Sequence, residues 1–165
     1  MVVLDRVTSD TTLTDTAAET TMYTFSVPAN MGAKAGEVLD LEMIMTLQNG
    51  SGADRTYTVR VKFGGTTHLA EALPPVPTGL AARPVLLRVR IQNDGTTSSQ
   101  WITSTISVGL IGNDWTAAPL LPPATAMAGT SIDQTAAQTL AVSWQSDAAT
   151  ATQIVTTRVA LLTLT

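Results

Sequence analysis

From about residue 20 to its end the chain alternates apolar and polar positions with a period of two, the pattern of strands that bury one face. Tyr23, Phe25 and Val27 share a face against Thr24 and Ser26, and Pro28-Ala29-Asn30 closes the segment. Beyond Gly32 and Gly36, Leu39, Leu41, Met43, Met45 and Leu47 alternate with Asp40, Glu42, Ile44 and Thr46. Leu, Met and Glu also suit helices, but the unbroken alternation and the Asn49-Gly50-Ser51-Gly52 turn predict a strand. Tyr57, Val59, Val61 and Phe63 follow, opposed by Thr58, Arg60 and Lys62 and closed by Gly64-Gly65, a pair that tolerates the positive φ of a tight hairpin.

A short strand over 66–73 leads into the stiff run Pro74-Pro75-Val76-Pro77. Val85, Leu87, Val89 and Ile91 alternate up to the Asn93-Asp94-Gly95 turn. Ile102, Ile106, Val108 and Leu110 come next, with Trp101 on the opposite side. Residues 111–138 break the rhythm and read as a long loop, a feature that in compact domains is usually functional or packed against something. Strands resume at Leu140, Val142 and Trp144 and again over 154–164. About eight strands separated by turns predict an all-β, two-sheet antiparallel sandwich of jelly-roll type. Residues 1–19 are Thr/Asp-rich with one apolar patch at Val2-Val3-Leu4. They are expected to form an N-terminal arm, free or paired with a neighbour's sheet, ahead of a single sandwich domain over 20–165. No repeat of fixed period points to a propeller or solenoid.

Composition supports strands over helices. The charged fraction is 13%, roughly half the usual share, and 29 threonines take up much of the difference, which suits pleated, half-buried surfaces. A net charge of -4 with dispersed basic residues argues against a nucleic-acid partner, since phosphate neutralisation needs clustered Lys and Arg. Without cysteine, disulfides and thiolate metal sites are excluded. No run reaches the length of a membrane helix, and the N-terminus lacks the basic and apolar regions of a signal peptide. A product made in the cytoplasm, with no membrane partner, is expected.

Little points to catalysis. His68 stands alone, without the partners that a triad or metal site needs, and is expected to be structural or at the surface. Gly32-Ala33-Lys34-Ala35-Gly36 lacks the Gly-Lys-Ser/Thr of a phosphate loop and reads as a turn. Asp40 and Glu42 share one strand face, where a salt bridge or a solvated face is the plainer reading than a glycosidase pair, which also needs a cleft. Asn113, Asp114 and Asp133 offer oxygen ligands without EF-hand spacing, and Asn49-Gly50-Ser51 matches a glycosylation sequon but reads as a turn. Tyr57, Phe63 and Trp144 fall among core positions. Trp101 and Trp115 are left for an interface, where Trp is enriched, or for stacking on a sugar. The candidate interface residues are Val2, Val3, Leu4, Trp101, Trp115, Leu120 and Leu121; no catalytic, metal-binding or cofactor-binding residue is expected.

Three segments, Glu19 to Asn30, Asn49 to Thr67 and Asp133 to Trp144, resemble small jelly-roll virion proteins of tailed phages and prophages. The resemblance runs from about residue 19 to the end. It implies a homotrimeric, non-enzymatic structural component of the virion: a capsid decoration (cement) protein, a head-fibre piece or a tail appendage. A decoration protein would bind an HK97-type major capsid protein on the outer capsid surface, using the N-terminal arm or the 111–138 segment as its clamp, and needs area, symmetry and an anchor rather than an active site. A receptor- or glycan-binding fibre module is the alternative.

Overall fold

The computed structural model describes residues 1–96, 98–108, 124–150 and 152–165, and for 108 and 124–128 the backbone only. Among these, eleven strands form: β1 (Val2–Val7), β2 (Thr11–Thr14), β3 (Thr20–Val27), β4 (Val38–Asn49), β5 (Tyr57–Phe63), β6 (Thr66–Ala72), β7 (Leu80–Asn93), β8 (Gln100–Val108), β9 (Ala124–Thr130), β10 (Gln138–Ser146) and β11 (Gln153–Leu164). They make two antiparallel sheets, a large one in the order β1-β11-β4-β7-β8-β9, with β2 also on β11, and a small one in the order β3-β10-β5-β6.

The pairing is nested. β1 and β2 pair with β11, β3 with β10, β4 with β7 and β5 with β6. This is the wrapping of a jelly roll, extended at the β7 edge by the hairpin β8–β9. Eight of these, β3 to β8 with β10 and β11, are the strands expected from alternation; the interrupted edge strand β1/β2 and the strand β9 are the additions.

Two expectations are corrected. Residues 1–19 do not form an arm detached from the sandwich: β1 and β2 are one edge strand along β11, running from Val2↔Leu164 to Thr14↔Ile154. Leu13 sits in the core at 1% exposure. The interruption at Thr8-Ser9-Asp10 lies beside Arg158, where β11 also slips register against β4, and Arg158 ion-pairs with Asp10. An edge strand pairs through its backbone on one side only, so its side chains need not alternate, and the Thr-rich sequence hid it. Likewise the 111–138 segment contains β9, whose sequence of small residues around a single Met carries no strong apolar period.

The core lies between the sheets. Met43, Met45 and Leu87 of the large sheet face Tyr57, Phe63 and Trp144 of the small one, all at 0% exposure. Trp144 meets Tyr57 edge-on, ring centroids 6.2 Å apart, a favourable aromatic geometry. At one end of the sandwich a buried amide cluster replaces apolar packing. Gln134 Oε1 accepts from Asn93 Nδ2 at 2.7 Å and from Gln100 Nε2 at 3.0 Å. Gln100 also exchanges hydrogen bonds with the Ile132 backbone. Most of the cluster's buried polar atoms are paired in this way, as burial demands, while Gln134 Nε2 has no hydrogen-bond partner.

Candidate interaction surfaces

The polar groups with chemical potential are committed to structure. Half-buried His68 has Nε2 3.0 Å from the Phe63 carbonyl oxygen and 3.5 Å from Thr130 Oγ1. Asp40 and Glu42, on the outer face of β4, pair with Arg90 and Arg88 of β7: Arg90 grips Asp40 with Nε at 2.9 Å and Nη2 at 3.3 Å, and Arg88 Nε lies 2.9 Å from Glu42. The hydrogen bonds that Arg90 donates to Asp40, with that carboxylate's charge, hold the guanidinium pKa above its ordinary value.

On the outer face of the small sheet Glu19 bonds Lys62 and Ser143 and lies 3.8 Å from Arg60. The hydrogen bonds from Lys62 and then Ser143 draw its carboxyl below the ordinary 4.5. Tyr57 is pushed up to about 12, chiefly by burial and then by the charge of Asp147. Asp133 accepts from the backbone and hydroxyl of Thr135, an Asx turn that lowers its pKa. Among the described residues no three His, Cys, Asp or Glu side chains converge as a metal site would require. Asn49 of the sequon is fully buried, its amide donating to Val76 O at 2.8 Å and Ala53 O at 3.0 Å; it ties the turn to the proline-rich loop.

Apolar surface is a better guide. Among the described residues the large hydrophobic side chains left exposed are Met1, Val2, Val3, Ile44 and Trp101. Val2 and Val3, at 59% and 56% exposure, sit on the outermost strand of the large sheet, while Leu4 turns in against the core. Beside them a depression of about 310 Å³ opens between Met1, Leu161 and the two ion pairs of β4 and β7. It is open and lined by groups already paired.

Trp101 lies near the other end of the same sheet, 49% exposed. It pairs with Gly129 across β8–β9. A Cβ on Gly129 would fall 3.4 Å from Trp101 Cζ3 and 3.7 Å from Cη2, so the six-membered ring spreads over the glycine. The structure thus places Val2, Val3 and Trp101 at the surface, on well-separated strands, and brings Leu4 inward. Trp115, Leu120 and Leu121 lie outside the described residues. Met1 and Ile44 were missed as surface candidates, although Ile44 was legible as the one apolar residue on the polar face of its strand.

No protein-family model and no curated protein matches the sequence. Among solved structures the fold is similar to the CBM2 module of the evolved Dit of Lactobacillus casei BL23 phage J-1, at 7% identity and TM-score 0.38, covering 84% of this chain and 66% of that one. It is similar to an alginate lyase from Klebsiella pneumoniae, at 10% identity and TM-score 0.30, covering 78% and 59%. A third likeness is to infectious bursal disease virus, Gx strain, at 13% identity and TM-score 0.35, covering 97% and 40%. The chain spans less than two thirds of the length of each. With every TM-score below 0.5, none of these likenesses carries an argument about function.

Proposed function

We propose that this chain is a structural virion protein: a capsid decoration protein that binds the outer surface of a tailed-phage capsid as a trimer and stabilises it. The observation that carries this reading is the exposed apolar surface at Met1, Val2, Val3 and Trp101, on a sandwich whose other large apolar side chains among the described residues, Ile44 aside, are buried or half-buried. Apolar patches on a well-sealed domain mark contacts with other proteins, and the resemblance of three segments to phage jelly-roll proteins supplies the setting. The partner in this reading is an HK97-type major capsid protein, and the chain is made in the host cytoplasm before joining the particle. Bridging capsid subunits stabilises the assembled state by mass action.

The test is co-sedimentation of the purified protein with capsids lacking it, followed by heating. Occupancy at hundreds of copies and a raised disassembly temperature are the expected result; a handful of copies, or none on the capsid, overturns it. One observation favours a second reading, a glycan-binding fibre module: the Trp101 ring lies against Gly129 with about half of its residue surface exposed, beside Gln92, its partner across β7–β8. Binding to host-cell polysaccharide that is lost in Trp101→Ala would establish that alternative.

A further inference from the structure

The two exposed apolar sites have a geometric relation that a single contact between like surfaces does not satisfy. Met1, Val2 and Val3 lie at the β1 edge of the large sheet, and Trp101 lies near the β9 edge. β1 and β8 are four strand spacings apart, about 19 Å, so a contact of the β1 edge with its own copy leaves Trp101 uncovered. They nevertheless share a level along the strands. Val38 exchanges backbone hydrogen bonds with Thr165 and pairs with Gln92, Gln92 pairs with Trp101, and Trp101 pairs with Gly129. The adjacent rung runs from Val2 through Leu164, Leu39 and Ile91 to Ile102.

Strand direction agrees. Every pairing on the six-strand path is antiparallel, so β1 and β9 run in opposite directions. A rotation about an axis along the strands therefore seats one copy's β1 antiparallel beside the next copy's β9, as an ordinary sheet neighbour. The stretch Met1 to Leu4 and the whole of β9 contain no charged side chain and no proline, so the charges and the bulge that guard an edge strand fall further along β1, at Asp5, Arg6 and the register shift after Val3. The small sheet's β6 edge, by contrast, carries His68 and Glu71.

From this we infer that the chain associates head to tail with copies of itself, the Met1–Val3 edge of one copy against the Trp101 edge of the next. Because the two sites sit on adjacent rungs, the step from copy to copy is mainly rotation with little shift along the strands, which closes a ring rather than winding a filament. The Trp101 ring, lying against Gly129, is the aromatic anchor of such a contact. The inference deepens the trimer of the proposed function and rests on that reading only for the number three.

Complementation tests it. Val2→Lys with Val3→Lys blocks one side of the contact, and Trp101→Lys blocks the other; all three positions are exposed, and circular dichroism confirms that the variants fold. In sedimentation velocity over a concentration series the wild-type chain forms a single closed oligomer larger than a dimer, and each variant alone is monomeric. An equimolar mixture of the two variants has one intact contact and forms a heterodimer that grows no further. A wild-type chain that stays monomeric or stops at a dimer overturns the inference, as does a mixture that stays monomeric. The capsid assay fails independently: a ring that ignores capsids defeats the decoration reading alone, and a capsid-bound monomer defeats the ring and the trimer while capsid decoration stands.

Discussion

At Gln134 one amide oxygen receives donors from two neighbouring strand ends, Asn93 and Gln100, while its backbone carbonyl accepts from Asn30 N at 2.7 Å. Truncation to Ala leaves two buried donors without their acceptor. Gln134→Ala is expected to cost about 2–4 kcal/mol, read as a lowered urea midpoint at unchanged slope. Glu19 governs a pH response. Its folded pKa lies below its ordinary 4.5 because Lys62 and Ser143 bond the carboxylate. The stability it contributes is therefore fully present above pH 4.5 and is lost as pH falls through the lowered folded value. Glu19→Gln, already without that charge, should lose less stability between neutral pH and pH 3 than the wild type, in urea midpoints taken across that range. Sequence placed Arg60 and Lys62 on one face but did not name Glu19 as their partner, because about 40 residues separate them and only the β3–β10–β5 pairing closes the gap.

Hairpins show the opposite balance between local and distant information. Gly64 and Gly65 have φ of +61° and +80° between the paired Phe63 and Thr66, the two-residue turn that the Gly-Gly dipeptide announces. A Cβ on Gly64 would also stand 2.9 Å from Ile132 Cγ2 and 2.9 Å from Gln138 Oε1. Gly64→Ala thus combines backbone strain with a clash and should lower stability by about 2 kcal/mol; Gly65→Ala, with nothing within 4 Å, should cost less in the same melt. Edge elements lack such markers. Had residues 1–19 been a free arm, deleting them would leave the melting temperature unchanged. As β1 and β2 they cover β11 and bury Leu13. The deletion should lower the melting temperature by several degrees and expose β11 as a new edge, so any loss of capsid binding in that variant is read only beside its melt.

Across the whole molecule, stability rests on contact between the sheets. Trp144 is fully buried in the core cluster and set edge-on to Tyr57, and Trp144→Ala should cost about 3–5 kcal/mol, measured by denaturant unfolding followed with far-UV circular dichroism. Tyr57, Phe63 and Trp144 were legible as core because each falls in phase with apolar neighbours two residues away. Trp101 was legible as their opposite, out of phase with Ile102 and Ile106. Its level with Val2, at the far side of the same sheet, was not.

The sequence by itself determined that the chain is all-β, where most central strands begin and end, which face of each is buried, and where the tight turns fall. These are local properties, set by side-chain alternation and by the φ that glycine allows. Strand order, the capture of residues 1–14 as an edge, the strand β9 and the placement of two apolar sites on adjacent rungs were decided only by the tertiary structure. Backbone hydrogen bonds are indifferent to side-chain identity, so the alternation that marks a strand does not say which strand will lie beside it.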